Sequence, residues 1–440
     1  MKNIPGFIIS LLFMLICLSS NAQPAWTLKA CIDTAYLKNI SLNQQQLNSQ
    51  INRINLTKSK AAVLPDLNLN DVHNLNYGST EDRNTYQYTR QNSSINDLSL
   101  NSSVTLFNGF LLLNTIKQSR LTYEAGTLDV EKAKNDILLN VVAGYMQVLM
   151  DYEAIRQAQS QVNETNAQVE QTQQFVTFGK LAELSLLQVQ SQLASDKLMM
   201  VNAENQLQLD KLTLLQLMEI PVRNDFDIQR LELKVLFPET PMPTDEIDKI
   251  SENFLPQIKS ASLKTDASFY NLKMAESGRL PKLTLGGALS TGYSSLNNGT
   301  YSSQFNNNFS QQLSVTLAVP IFNNLIVKSN IAIARINVQN AQLNEKQTKN
   351  DVRKNIELVY TNQVMAGKKL IATQEQMELE KRTYTDMETK FSVGAIGATE
   401  FLVEKNNYNK VALLLIQAKY DYVLKAKMVD FYLGKPMISN

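Results

Sequence analysis

The spacing of apolar residues along this chain changes from helical to alternating and back, and it does so twice in the same order. Leu28, Cys31, Ile32 and Ala35 recur at helical spacing, which predicts a helix over 26–38 with Thr27 as its N-cap. A second helix is expected over 41–62, ended by Leu64-Pro65. The period then becomes two. Leu67, Leu69, Asp71, His73, Leu75 and Tyr77 share one face, against Asn68 and Asn70 on the other. After a polar loop over 78–94, Leu98, Leu100, Val104 and Leu106 oppose Ser99, Asn101, Ser103 and Thr105. Further on, Leu283, Leu285, Leu289 and Tyr293 alternate with small or polar residues. A second polar loop covers 294–308. Leu313, Val315, Leu317, Val319 and Ile321 then alternate with Gln312, Ser314, Thr316 and Ala318. Each strand is about ten residues, enough to cross a bilayer when tilted. Alternation alone fits a half-buried sheet in a soluble protein equally well.

The helical stretches are longer than globular domains use. Residues 109–175 contain no proline and would run about 100 Å. Val141, Val148, Ile155, Val162, Val169 and Val176 recur every seventh residue, a coiled-coil seam. Tyr145, Tyr152, Gln159, Asn166 and Gln173 are the expected partner seam, set in a surface rich in Asn, Gln, Ser and Thr. Residues 323–391 form the matching long helix. Shorter helices are expected over 182–219 and 398–433 (about 55 Å each) and over 41–62 and 256–277 (about 33 Å each). A short pair stacked end to end nearly matches one long helix, which suggests a wall of even height.

The two halves are a duplication. Phe107-Asn108 recurs as Phe322-Asn323, Tyr145 as Tyr360, Gly179 as Gly394 and Leu186-Leu187 as Phe401-Leu402, always 215 residues on (322 − 107). Leu64-Pro65 returns as Leu280-Pro281 with a drift of one residue. Two strands per half make four per chain, too few to close a barrel, so the chain reads as a fraction of an oligomeric tube. The expected organisation is a first repeat over 23–219, a linker over 220–254 and a second repeat over 255–440. The linker holds Pro221, Pro238, Pro241 and Pro243, and a short helix is expected to begin with Thr244 as N-cap.

Composition narrows the function. Gly (15) and Pro (11) are scarce, in keeping with long uninterrupted elements. Lys2, the apolar run 7–18 and Ser20-Asn21-Ala22 form a secretory signal, with cleavage after Ala22. Cys17 follows Ile16, where lipid attachment would want a small residue. The mature chain keeps only Cys31, which falls in an apolar helical pattern and reads as a core thiol. No later stretch approaches twenty apolar residues, so no membrane-spanning helix is expected. A formal net charge of +1 offers no nucleic-acid surface. His73 is the only histidine, so a histidine-based triad or multi-histidine metal site is impossible. No catalytic constellation and no cofactor motif is present.

The chain resembles the TolC-like outer membrane efflux family over essentially its whole mature length. The resemblance rests on Trp26-Thr27-Leu28-Lys29-Ala30-Cys31-Ile32, on Leu64-Pro65 and Leu280-Pro281 before the strands, and on Val319-Pro320-Ile321-Phe322 after them. Two hairpin tips carry it further, Phe175-Val176-Thr177-Phe178-Gly179 and Phe391-Ser392-Val393-Gly394. It implies a mainly α, mixed fold: long antiparallel coiled-coil helices forming an α-barrel, and four strands contributing to a trimeric, twelve-stranded transmembrane β-barrel. It implies a homotrimer in the outer membrane of a Gram-negative bacterium, with a periplasmic helical tube. The expected role is a passive exit duct, joined by a periplasmic adaptor (membrane fusion) protein to an inner-membrane pump of the RND, ABC or MFS class. A type I protein secretion duct uses the same architecture. A coiled-coil scaffold would explain the heptads but not the strands. In the family, acidic residues narrow the periplasmic end six and nine residues after the second tip glycine. Glu400 holds the first position here; Val403 holds the second, with Glu404 adjacent. Ser185 is the first-repeat counterpart of Glu400. Phe391 matches the gate aromatic without its hydroxyl, and Ile396 replaces the gate arginine, so no ionic lock is implied. The tips Phe178-Gly179-Lys180-Leu181 and Val393-Gly394-Ala395-Ile396 would meet the adaptor.

Overall fold

The computed structural model describes residues 25–81, 86–90, 92–223, 225–230 and 243–437. The signal segment 1–22 and the prolines at 238 and 241 lie outside these. The described elements run in order α1 (Leu28–Lys38), α2 (Ile40–Ala61), β1 (Asn68–Asn76), β2 (Ser79–Glu81), β3 (Tyr88–Arg90), β4 (Ser93–Asn108), α3 (Leu111–Thr177) and α4 (Glu183–Leu217). They continue with α5 (Thr244–Phe254), α6 (Pro256–Ser277), β5 (Lys282–Ser294), α7 (Tyr301–Asn307), β6 (Ser310–Ala318), α8 (Ile326–Ser392) and α9 (Ala398–Tyr432). Both long helices are 67 residues and both shorter partners are 35, so the duplication extends to element length.

The chain forms two compact units. One comprises residues 44–133 and 252–353, the other 1–43, 134–251 and 354–440. The first unit holds the sheet. Its antiparallel order is β1-β4-β5-β6, so strands of the two repeats pair through β4 and β5. Register puts Leu69, Leu100 and Leu289 in one cross-strand row and Val104, Leu285 and Val315 in another. Asn70, Ser99, Ser290 and Ser310 form a row on the opposite face. One face is therefore rich in Leu and Val, though it also carries Gln311 at the end of the Leu69 row and Asp71, His73 and Asn96 further along, and the other is lined by short polar residues. The Leu- and Val-rich face is bare in the single chain: Leu69, Leu313 and Val315 are all exposed. β1 and β6 each have one hydrogen-bonded neighbour, so two edges are open.

The strands leave the sheet alike in both repeats. Gly109 and Phe110 (φ 63° and 66°) and Asn324 and Leu325 (φ 50° and 64°) put two successive left-handed residues before each long helix. Both expected polar loops hold short structure instead. β2 and β3 pair as a small hairpin within 78–94. Within 294–308, Thr300 caps α7 by accepting from the Ser303 N–H, and the buried Gln304 amide donates to the carbonyls of Ser294, Asn297 and Gly299. Three- and seven-residue elements are too short to carry a readable period. β4 begins at Ser93, five residues before its first periodic leucine.

In the second unit, Thr27 caps α1 as expected, its Oγ1 accepting from Ala30 N–H at 3.1 Å. Cys31 is fully buried, and burial pushes its thiol up to about 12. Part of the linker is core, not surface. Phe226 and Ile228 are buried, Trp26 and Ile228 form a parallel bridge, and the Tyr145 hydroxyl donates to the Gln229 carbonyl at 2.6 Å.

The seam on α3 follows the expected valines and, of the expected partners, Tyr145, which is fully buried, and Tyr152, which packs against the same core; the polar partners further on do not follow it. Val141, Val148 and Val162 are buried. Gln159, Asn166 and Gln173 are exposed; the second seam instead runs through Gly144, Asp151, Ala158, Thr165 and Thr172, three residues after each valine position. Its residues are small or short and polar, so they give no hydrophobic signal. Small size has a use. A Cβ at Gly144 would lie 3.1 Å from the Leu217 side chain, so glycine lets α4 approach closely.

Candidate functional site

The two hairpin tips, both in the second unit, are built by one device. α3 ends with Lys180 N–H donating to the Phe175 carbonyl (2.8 Å) and Gly179 N–H to the Val176 carbonyl (2.9 Å). α8 ends with Ala395 N–H donating to Lys390 (2.9 Å) and Gly394 N–H to Phe391 (3.0 Å), the same bonds 215 residues on (390 − 175). These are Schellman caps. Each requires a left-handed residue, met by Gly179 at φ 71° and Gly394 at φ 76°. A Cβ at either glycine would meet nothing within 4 Å, so backbone conformation alone selects glycine here.

The caps decide what each tip exposes. Phe178 and Val393 occupy matching C-cap positions and are 74% and 76% exposed. Lys180 is exposed, with its ammonium 5.5 Å from the Phe175 ring centre. Leu181 and Ile396 turn inward and pack against a core of Val189, Tyr384, Phe391, Phe401 and Leu402. Phe391 is 2% exposed and stacks on Phe401 with ring centres 4.7 Å apart. Tyr384 stacks on Tyr408 at the same separation. Glu400 is exposed in the first turn of α9, where a carboxylate suits the helix N-terminus. Ser185 is half-buried in the first turn of α4. Glu404 is half-buried beside Glu380, whose carboxyl it helps burial to push up. Among the described residues, no hydrogen bond or ion pair joins Glu400, Glu404, Ser185 and Phe391 to one another.

The hairpins are tied by polar contacts that the sequence did not advertise. Gln192 and Asn406 exchange amide hydrogen bonds (3.0 and 3.1 Å), and Gln188 donates to Thr399 at 3.0 Å. Deeper lies Lys405, 0% exposed. Its ammonium donates to Thr165 Oγ1 (2.6 Å) and Gln168 Oε1 (2.7 Å). The Thr165 hydroxyl in turn donates a hydrogen bond to the buried Asp196 carboxylate, which also accepts from Gln161 (2.8 Å) and Gln192 (2.7 Å). Burial pushes Lys405 below the usual lysine value, opposed by the charges of Asp196, Glu164 and Glu388. One lysine thus joins α9 to α3, and through Thr165 to α4. The readable signal was a charged residue within an apolar stripe: Lys405 between Phe401 and Ala412, and Asp196 in line with Leu186 and Val189.

This geometry is that of a joint between helical hairpins, not of a reaction centre. Sequence comparison agrees. The family model described as outer membrane efflux protein matches residues 31–218 and 252–435. Toxin and drug export protein A of Aggregatibacter actinomycetemcomitans is 24% identical over 406 residues, covering 88% of this chain and 84% of that protein. Outer membrane protein TolC of Vibrio cholerae serotype O1 is 24% identical over 398 residues, covering 86% and 84%. The crystal structure of CusC superposes with a TM-score of 0.80 at 18% identity, covering 93% of this chain and 92% of that one.

Proposed function

The chain belongs to the outer membrane efflux protein family, whose members are outer-membrane channels with a periplasmic helical tube and not enzymes, and from that premise we propose that it is the passive exit duct of a tripartite export system. Three chains would share a twelve-stranded barrel. An inner-membrane pump would supply the energy and a periplasmic adaptor would join the two. One observation carries this reading: the four-stranded sheet carries cross-strand rows of Leu and Val on one face, is lined by Asn, Ser and Thr on the other, and is open at β1 and β6. Open edges in lipid leave N–H and C=O groups unpaired at several kcal/mol each, so the sheet must close with other copies.

Phe178 and Val393 support the tips as the adaptor contact, because matched exposed apolar residues at paired caps form a repeated surface. Gly179, Lys180, Gly394 and Ala395 would shape that surface; Leu181 and Ile396 would support it from beneath. Three copies of Glu400 at a constriction would favour cations, with Glu404 and Ser185 behind them and Phe391 packing the gate helices.

The test is dye clearance in energised cells. A strain lacking the chain should retain an amphiphilic dye that the parent clears, and Phe178→Asp with Val393→Asp should reproduce that defect while the trimer still assembles. Full clearance by the deletion strain would overturn the duct reading. In bilayer recordings, Glu400→Gln should reduce cation selectivity; unchanged selectivity would remove Glu400 from the constriction.

A further inference from the structure

Between α3, α4 and α9, in the second unit, lies a half-open cavity of about 660 Å³. Its volume falls in the range that small-molecule sites occupy. Met150 and Ala154 of α3, Met199 of α4 and Leu413 of α9 give it an apolar wall. Two buried polar side chains also line it, and each carries atoms without a hydrogen bond. Asp151 is 4% exposed and its Oδ2 has no hydrogen bond; Asn409 is 5% exposed and neither its amide oxygen nor its nitrogen has one. Such groups cost free energy unless something satisfies them.

The charges around them indicate what is missing. The other Asp151 oxygen accepts from Gln147 at 3.3 Å, and the same amide reaches Asp210 of α4, also at 3.3 Å. The two carboxyl groups thus share one amide and interact directly with each other, and neither has an ion-pair partner among the described residues. Lys410 of α9 lines the opening but is exposed and makes no bond to them. Burial, with Asp210 adding to it, pushes the Asp151 carboxyl up to about 8. A buried carboxyl that holds its proton at neutral pH lacks a cation beside it.

We propose that this cavity binds an organic monocation with an apolar body, an arylalkyl ammonium in chemical class. Its ammonium donates to Asp151 Oδ2 and to the Asn409 amide oxygen, and its hydrocarbon part lies along Met150, Met199 and Leu413. The site is contained within one chain, so the proposal does not rest on the duct reading.

The probe is 1-naphthylmethylammonium, titrated calorimetrically at neutral pH into the full chain in nanodiscs, with 1-naphthylmethanol as its neutral isostere. Saturable binding at one site per chain is expected, at least about tenfold tighter for the ammonium than for the alcohol. Binding should release a proton from Asp151, read as a dependence of the heat on the buffer's ionisation enthalpy. Asp151→Asn should weaken ammonium binding about tenfold or more and abolish proton release, and Asn409→Ala should weaken it less. Equal binding of ammonium and alcohol by the unmodified protein would overturn the proposal. So would binding unchanged in Asp151→Asn, or a cavity holding only ordered water at saturating probe.

Discussion

Replacing Lys405 by methionine tests whether the two hairpins are held together by their buried polar joint. The substitution keeps an unbranched chain of similar length and removes the charge. Two charge-assisted bonds go, those to Thr165 Oγ1 and Gln168 Oε1. Thr165 keeps its bond to Asp196, but the buried Gln168 oxygen loses the one bond shown for it. Asp196, 1% exposed, becomes a carboxylate held by neutral donors. Removing one side of a buried charged arrangement costs about 3–5 kcal/mol, and burying methionine recovers part of that. A net cost of about 3 kcal/mol corresponds to roughly 150-fold more frequent local opening. Amide hydrogen exchange over residues 161–172 and 401–409 reads this directly, with the sheet strands as an unaffected control. Adding Asp196→Asn should restore much of the lost protection, because it removes the stranded charge. Exchange in Lys405→Met within about threefold of the parent would show that the network contributes nothing and that aromatic stacking alone holds the joint.

Three further outcomes follow from the same geometry. Glu219 ends α4 at φ 54°, where Gly434 ends α9 in the same cap, so Glu219→Gly should relieve about 1 kcal/mol and slow exchange at the Ile220 amide about fivefold. Gly394→Val adds a β-branched side chain at φ 76° with no neighbour to clash, so about 1–2 kcal/mol of backbone strain should appear as faster exchange confined to the α8–α9 tip, while Gly394→Asn should cost less. Folded Asp151 holds its proton up to about pH 8 while the unfolded carboxyl loses it near its ordinary value, so the folded state binds more protons between the two and local stability should fall as pH rises through that window; Asp151→Asn should flatten that dependence over α3 and α4.

Much of this architecture was legible because it depends on period. Strand alternation and proline-free helical runs located every long element, and the glycines at 179 and 394 marked both caps. What stayed hidden depends on contacts with no periodic signature. Beyond the buried Tyr145, the second seam on α3 uses Gly144, Ala158, Thr165 and Thr172, which pack through small size, with a side-chain hydrogen bond at Thr165, so a heptad pattern extended from Tyr145 leads to the exposed Gln159, Asn166 and Gln173 instead. Phe226 and Ile228 lie in a segment whose prolines read as linker, yet the bridge to Trp26 buries them. At the tips, sequence separated neither Phe178 from Leu181 nor Val393 from Ile396. The Schellman geometry does, turning one of each pair outward and one into the aromatic cluster.

The measurement that bears most directly on the shared barrel is the mass of the unboiled protein extracted in detergent from the outer-membrane fraction, by light scattering with detergent correction. A mass of three chains is expected, because only other copies can pair the open edges of β1 and β6. A single chain in the detergent extract, or the protein recovered free in the periplasm, would contradict it.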